Sequence, residues 1–153
     1  MPRRSALTPQ EEDAWTQLFV IAQCLPAVVD QQLRRDADLG HYEYAVLHAL
    51  HRAPSHVLSM ADLATLTSGS FSRLSHAVSR LEARELVERE QRGPNRHVSL
   101  TRAGRSAFLA AASGHMDHIR HTVLDRIEPD RLGVLGDILR PVADSLRDQL
   151  PRG

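Results

Sequence analysis

The chain has 153 residues, enough for one domain with its own core, and 42% of them are hydrophobic while 25% are charged. Its 19 basic side chains are balanced by 19 acidic ones, so the net charge gives no sign of a nucleic-acid-binding protein. Cys24 is the only cysteine, which excludes an intramolecular disulfide framework, and no run approaches the roughly 20 apolar residues of a membrane span, so we expect a cytoplasmic protein with no membrane partner.

The first predicted element is a long amphipathic helix. The TPQE segment at 8–11 is a capping-box pattern with proline at the first helical position, and apolar residues then recur every three or four positions to about Arg35. Pro26 lies inside this helix and is expected to bend it. The apolar residues are Trp15, Leu18, Phe19, Ala22, Leu25, Val29 and Leu33.

Three shorter helices follow. The apolar positions around Val46 predict a helix that ends before Pro54. The SMAD segment at 59–62 is a further capping box, opening a helix with Leu63, Ala64 and Leu66 directed inward. After a glycine-containing turn at 67–69, another helix begins at about Ser70. A short helix, a turn with glycine and a second helix predict a helix-turn-helix. The buried face of its second helix is predicted to consist of Phe71, Leu74, Val78 and Leu81.

A small β-hairpin is predicted directly after these helices. The LVER segment at 86–89 and the HVSL segment at 97–100 are candidate strands, and the QRGPNR segment at 91–96 has turn-forming residues. Eight of the 19 arginines and only four acidic residues lie between 70 and 105, so this part of the chain is locally basic. We therefore predict a winged helix-turn-helix DNA-binding lobe at residues 41–101.

The C-terminal part is predicted to be helical. Thr101 caps a helix from about Arg102 to Asp125, and Glu128-Pro129 opens a last helix. The apolar stripe of that last helix is too long for a small domain to cover internally, which predicts a homodimer built on residues 10–35 and 106–150 within a single domain at 1–153. The stripe consists of Leu132, Leu135, Leu139, Val142, Leu146 and Leu150. The predicted fold class is mainly α, a winged helix-turn-helix with terminal dimerisation helices.

The chain contains four segments whose order and spacing are distinctive: EYAVL at 43–47, MADLA at 60–64, SRLSHAVSRLE at 72–82 and LTRAGR at 100–105. In these segments the sequence resembles the MarR family of transcriptional regulators. It implies a homodimer that binds a pseudo-palindromic operator in double-stranded DNA, commonly as a repressor that a small aromatic effector releases. Two features depart from the family pattern: the hairpin is short and lacks the usual Asp, and Glu85 stands where a glycine usually follows the helix.

Nine residues are predicted to face DNA rather than to form an ordinary solvated surface. Small hydroxyl groups on the second helix allow close approach to a groove, and cations there reach bases or phosphates. These positions are Ser70, Ser72, Arg73, Ser75, His76, Ser79 and Arg80. Arg80 has the alternative role of bracing the wing. At the hairpin tip, Arg92 and Arg96 suit a narrow minor groove.

The resemblance also implies an effector pocket between the terminal helices and the DNA-binding lobe. Its candidate residues are Trp15, Phe19, His41 and Tyr44, each of which is equally typical of a core. No cofactor, metal or catalytic residue is predicted.

Three alternative functions stay open. His115, His118 and His121 share one helical face, as in a zinc-binding protein or metalloenzyme, but no fourth ligand is evident, and surface or interface histidines are favoured here and at His48 and His51. Cys24 would be the sensor of a redox-responsive regulator, but it lies about two helical turns beyond the family's sensing position, so a buried structural thiol is favoured. The third alternative is an interaction protein with a vestigial winged helix.

Overall fold

The structure, a computed structural model, describes residues 6–149. Leu150 of the predicted C-terminal stripe and the two ends of the predicted domain lie outside these residues. Within them the helices are α1 (Pro9–Ala37), α2 (His41–Arg52), α3 (Met60–Thr67), α4 (Phe71–Ala83), α5 (Arg102–Thr122) and α6 (Leu132–Gln149). The strands are β1 (Val57–Ser59), β2 (Val87–Arg92) and β3 (Asn95–Leu100). Two 3-10 turns, Leu124–Arg126 and Pro129–Arg131, connect α5 to α6. The predicted mainly α-helical winged helix-turn-helix fold is confirmed.

The helix caps predicted from the sequence are present. The Thr8 hydroxyl accepts a hydrogen bond from the Glu11 backbone N–H, and the Thr8 N–H donates to the Glu11 carboxylate at 2.7 Å. Thr101 caps α5 in the same way, by accepting from the Gly104 N–H at 2.9 Å. The capping box at Ser59 is half formed. The Ser59 hydroxyl accepts a hydrogen bond from the Asp62 N–H, but the Asp62 carboxylate accepts from that same hydroxyl and not from the Ser59 backbone N–H. α1 runs without interruption through Pro26.

The wing is larger than predicted. β1 was not predicted from the sequence, and it pairs with β3 to give a three-stranded antiparallel sheet in the order β1-β3-β2. The hairpin strands also extend further, so that Arg92 pairs with Asn95 and only Gly93-Pro94 form the loop. Gly93 has a φ of 61°, as the first position of a tight type II′ turn requires, and glycine adopts it without strain.

A buried core joins the end of α1 to the winged helix and to α5. Its buried side chains are mostly leucine and valine from α2, α3, α4 and the two hairpin strands, with Phe108 and Ala111 from α5. The largest side chains that are fully buried are Leu33, Leu39, Leu47, Leu50, Leu63, Leu74, Leu81, Val46, Val78, Val87 and Val98. α6 contributes no buried residue.

Two residues that were predicted to lie in the core are exposed. Leu66 is 61% exposed and Phe71 is 48% exposed. On α4 the buried side chains are Leu74, Ala77, Val78 and Leu81. At 100° per residue, Phe71 lies about 70° from the centre of that buried face. It therefore sits on a flank of the helix, where about half of its surface stays accessible.

The apolar stripes of the terminal helices are also exposed in the single chain. Trp15 is 59% exposed and Ile138 is 60% exposed. Within α1 only Gln32 and Leu33 are buried. No helix among residues 6–149 is long and apolar enough to cross a membrane.

The start of α5 is pressed against the base of the wing. A Cβ on Gly104 would lie 1.9 Å from the Leu86 carbonyl oxygen, so only glycine fits at this point of the LTRAGR segment. The Thr101 hydroxyl donates to carbonyl oxygens in the same place, those of Glu85 at 2.8 Å and Leu86 at 3.0 Å. These contacts fix where the sheet ends and the last helices begin.

α4 ends in a left-handed turn at Glu85. The Leu86 N–H donates to the Leu81 carbonyl and the Glu85 N–H donates to the Glu82 carbonyl, which together form a Schellman motif. Glu85 has a φ of 57°, a conformation that favours glycine. The departure from the family pattern at this position therefore leaves a strained residue at a helix end.

We predict that Glu85→Gly stabilises the protein by about 0.5–1 kcal/mol, because glycine relieves the left-handed backbone at some cost in unfolded-state entropy. Urea unfolding followed by circular dichroism measures the change. The control is Ala83→Gly, two residues earlier in regular helix, which should destabilise by up to about 1 kcal/mol. A loss of stability in Glu85→Gly would show that the left-handed conformation carries no strain.

Candidate nucleic-acid interface

The predicted DNA-facing residues lie along α4 and at the far end of the wing. Eight of the nine are exposed, and Ser75 is half-buried. Ser72, His76 and Ser79 lie on the side of α4 opposite its buried face. Ser70 caps the helix by accepting a hydrogen bond from the Arg73 backbone N–H at 3.3 Å. The outer side of α4 is thus made mostly of short polar side chains.

Arg73 is turned from this outer side towards the start of α2. Its guanidinium carbon lies 4.3 Å above the centre of the Tyr42 ring, a cation–π contact, and its Nη2 donates to His41 Nε2 at 3.0 Å. His41 Nδ1 lies 3.2 Å from the Asp30 carboxylate. Partial burial raises the pKa of Asp30, but hydrogen bonds from the His41 N–H and the Arg34 side chain outweigh it and lower the pKa to about 2.

The glycine of the helix-turn-helix supports the position of Arg73. A Cβ on Gly69 would lie 2.0 Å from the Tyr42 hydroxyl, so only glycine fits where the turn passes the Tyr42 side chain. The Tyr42 hydroxyl and the Thr67 hydroxyl are hydrogen-bonded at 2.8 Å. The ring on which Arg73 rests is therefore fixed at both its face and its edge.

Arg80 also contacts α2, through the buried carboxylate of Glu43. Arg80 Nε lies 2.6 Å from Glu43 Oε1, and Glu43 Oε2 accepts the Gly40 N–H at 2.8 Å. The same carboxylate therefore caps α2 and ties α4 to it. The proposed alternative for Arg80, a brace for the wing, is wrong in this structure.

Arg89 of β2 braces the wing instead, and it was missed from the sequence. Its Nη2 donates to the Ser75 carbonyl at 3.0 Å and to the Ser79 hydroxyl at 2.7 Å. Its Nε lies 3.5 Å from the Glu82 carboxylate. Strand alternation was the available signal, because Arg89 lies two residues after the buried Val87 and so shares its face.

The two wing arginines point to opposite faces of the hairpin. Arg96 pairs in register with Gln91, which places it on the face of Arg89, whereas Arg92 shares the other face with Glu90. Two nitrogens of Arg92 donate to the Glu90 carboxylate, at 2.9 and 3.0 Å. The Arg96 side chain is exposed and has no ion pair or hydrogen bond within residues 6–149. The charge of Arg96 is thus the one available to an external anion.

A cavity of about 320 Å³ lies between α1, the start of α2 and α4. Of the four predicted pocket residues, only His41 lines it. Tyr44 lies in the core, with its ring centre 5.3 Å from that of Phe108. Trp15 lies 15 residues before the cavity residue Asp30, about 22 Å along the helix, with Phe19 beside it. The structure therefore does not bring the four residues together. The cavity is lined by Pro26, Ala27, Asp30, Arg34, Gly40, His41, Tyr42, Glu43, Arg73 and Arg80.

The histidines of α5 do not converge on a metal site. His115 is only 5% exposed within the single chain, contrary to the predicted surface or interface position, and its Nδ1 lies 2.9 Å from the Gln32 side-chain oxygen. His121 is exposed and pairs with Asp125 at 3.0 Å. No group of three or more potential metal ligands occurs in the part of the chain that the structure describes.

Burial sets the protonation of His115. Desolvation lowers the pKa of this imidazole, and the nearby His118 and His48 lower it further. Its ring centre lies 4.5 Å from that of Tyr44. The neutral form is therefore the one that the core accommodates.

Cys24 is exposed on α1, so the prediction of a buried structural thiol is wrong for the single chain. It lies in the part of α1 that makes no contribution to the core.

Comparisons of the chain with a family model and with solved structures indicate the same family. The model of the MarR family matches residues 38–96. The structure of Sco3205, a MarR family transcriptional regulator from Streptomyces coelicolor in complex with DNA, is 36% identical, with a TM-score of 0.89 over 95% of this chain and 93% of that chain. AbsC, a MarR family transcriptional regulator from the same organism, is 31% identical, with a TM-score of 0.87 over 94% of this chain and 99% of that chain. No curated protein matches the chain in sequence.

The burial of His115 predicts a loss of stability in acid. Its pKa in the folded protein is below the unfolded value of about 6.5, so the unfolded chain binds more protons as the pH falls through that value, and stability falls with it. His115→Asn keeps a donor near the Gln32 oxygen without titrating, and it should flatten the dependence. Urea unfolding at several pH values below neutrality measures this. His121→Asn on the same helix is the exposed control. An unchanged dependence in His115→Asn would contradict the assignment.

Proposed function

The chain belongs to the MarR family of transcriptional regulators, and we propose that it acts as a homodimeric repressor that binds a pseudo-palindromic operator in double-stranded DNA. The observation that carries the proposal is the joint surface of α4 and the wing, where Arg89 ties β2 to Ser75 and Ser79 beside the exposed side of the helix. A similar protein, Sco3205, is described in complex with DNA. The relatives are transcriptional regulators, and we propose no catalytic role.

The outer side of α4 fits the major groove. Ser72 and Ser79 are short enough to let the helix backbone approach base edges, and His76 between them reaches base acceptors or phosphates. Arg73 and Arg80 lie along the flank towards α2 and are held there by Tyr42 and Glu43. We therefore assign the closest base contacts to the central serines and His76, and a positioning role to the two arginines.

The wing supplies a phosphate or minor-groove contact through Arg96. This side chain lies on the hairpin face of Arg89, and Arg89 is bonded to α4, so Arg96 is presented on the side of the recognition helix. A free guanidinium at a hairpin end is suited to phosphate oxygens and to a narrow minor groove. Arg92, neutralised by Glu90 on the opposite face, contributes less.

Dimerisation would cover the exposed stripes of the terminal helices. α6 has no buried residue, and its large apolar side chains are at least one-third exposed at five positions: Val134, Ile138, Leu139, Val142 and Leu146. The first half of α1 presents further apolar side chains, including Trp15 and Phe19. Contiguous apolar surfaces of this kind mark subunit interfaces. A twofold dimer would place two recognition helices about 34 Å apart, one DNA turn, which requires a pseudo-palindromic operator.

The cavity beside Arg73 and Arg80 supports a second part of the proposal, release from DNA by a small aromatic effector. Its volume of about 320 Å³ is within the range of small-molecule sites. Its walls come from α1 on one side and from α4 on the other, so a ligand there contacts both a dimerisation helix and the recognition helix. Arg34 and Arg80 are each paired with a carboxylate, but Arg73 faces only His41 and Tyr42.

The slope of log affinity against log salt concentration is negative, and we predict that Arg96→Ala reduces its magnitude by about one unit, as expected for one lost phosphate contact. Arg92→Ala should reduce the magnitude less, because Glu90 already neutralises that charge. Fluorescence anisotropy with a duplex selected from a random-sequence library measures both. Glu90→Gln is the matched control and should increase the magnitude of the slope, because it frees Arg92. Equal effects of the two arginines would contradict the role of the hairpin faces, and no salt-dependent duplex binding by the wild type would overturn the proposed function.

We also predict that Ile138→Glu converts a dimer into a monomer, because it places a charge on the apolar stripe of α6. Leu66→Glu is a matched control, since Leu66 is 61% exposed and Ile138 60%, but Leu66 lies on α3. Sedimentation velocity at micromolar concentration measures both. A wild-type monomer, or a dimer that survives Ile138→Glu, would exclude the α6 interface.

The effector proposal predicts that salicylate, used as a probe, weakens binding of the selected duplex by the wild type. Ala27→Trp should bind the duplex but lose the response, because Ala27 lines the cavity and a large side chain fills it. Anisotropy titrations of both proteins with salicylate make the comparison. An equal response in the two proteins would place the effector elsewhere.

A further inference from the structure

Phe71 is an exposed aromatic residue at the beginning of the recognition helix. It is the first residue of α4, and 48% of its surface is accessible. Ser70 and Ser72, its neighbours in sequence, are exposed, and Ser75, one helical turn further on, is half-buried. A half-exposed aromatic ring therefore lies among short polar side chains.

The packing of the chain does not account for this exposure. α4 packs mainly against α2, α3 and β2, and the buried face that it presents to them is formed by Leu74, Ala77, Val78 and Leu81. Phe71 lies off that face. The proposed dimer interface does not cover it either, because the exposed apolar stripes that would form the interface lie on α1 and α6.

The position of Phe71 restricts what it can contact in DNA. Residues at the N-terminal end of a recognition helix lie closest to base edges in the major groove. The base edges exposed there are polar donors and acceptors, with one apolar group among them, the C5-methyl of thymine. An aromatic ring presented at this point thus has one kind of apolar partner on the duplex.

We propose that Phe71 reads the C5-methyl group of a thymine in each operator half-site and so helps determine sequence specificity. This inference rests on the proposed DNA-binding function and adds an apolar contact to the polar surface of α4. The contact buries the methyl group against the ring, and the serines at 70, 72 and 75 leave room for the base to approach.

The test removes the methyl group from the DNA and the ring from the protein. Duplexes are first selected from a random-sequence library with the wild type, and each thymine is then replaced in turn by uracil, which differs only in that methyl. Affinities are measured for the wild type, Phe71→Ala, Phe71→Leu and Leu66→Ala. The last is a control for loss of an exposed apolar side chain from the same lobe.

At one thymine of each half-site we expect uracil to weaken wild-type binding about fourfold, the effect of leaving one methyl-sized group unburied. Phe71→Ala should bind the thymine and uracil duplexes equally at that position, Phe71→Leu should keep part of the difference, and Leu66→Ala should keep all of it. Thermal unfolding of each variant confirms that it is folded, as expected for exposed positions.

Two other outcomes are decisive in different ways. If the wild type selects a sequence but uracil has no effect at any position, or if Phe71→Ala keeps the full uracil effect, Phe71 does not read a methyl group, and the DNA-binding function stands. If the wild type selects no sequence at all, the proposed function fails and the inference fails with it.

Discussion

The buried carboxylate of Glu43 connects α2 to α4 on the side of the molecule that carries the candidate DNA surface. One of its oxygens caps α2 through the Gly40 N–H, and the other binds Arg80 of the recognition helix. α2 is also the helix that supplies much of the core, with Val46, Leu47 and Leu50 fully buried. A carboxylate removed from water needs such partners, because an unpaired buried charge is strongly destabilising. The orientation of α4 is therefore linked to the folding of the core.

Local patterns in the sequence were sufficient for most of the fold. Helical periodicity and capping residues located the helices, and turn chemistry located the hairpin. β1 was missed because three residues are too few for strand alternation to show. Phe71 was assigned to the core because periodicity marks an apolar residue without showing which flank of the helix it occupies. Strand alternation indicates the face on which Arg89 lies, but the partners of Arg73 and Arg89, Tyr42 and Ser79, depend on tertiary packing and cannot be predicted from spacing along the chain.

Counting arginines overstates the positive charge of the interface. Between residues 70 and 105, Arg80, Arg84, Arg89 and Arg92 each form an ion pair with a carboxylate of the chain itself. Arg80 and Arg89 connect α4 to α2 and to the wing, and Arg84 connects the end of α4 to Asp38 at the end of α1. Arg92 is neutralised within its own strand. A neutral protein with a basic segment is thus consistent with a surface that recognises DNA by shape and close approach, with only a few free cations directed at phosphates.

The tight loop at Gly93-Pro94 restricts how the wing can change in length during evolution. Successive residues of a strand point to opposite faces, so the face occupied by Arg96 depends on whether the number of residues between it and Val98, the partner of Arg89 on the same strand, is odd or even. Inserting residue pairs, one residue in each strand between the level of Arg96 and the loop, would lengthen the hairpin and leave Arg96 on the side of the recognition helix. A single inserted residue between Arg96 and the base of β3 would turn it away, unless a β-bulge absorbed the extra residue. Related wings of different lengths should therefore differ by whole pairs or carry a bulge.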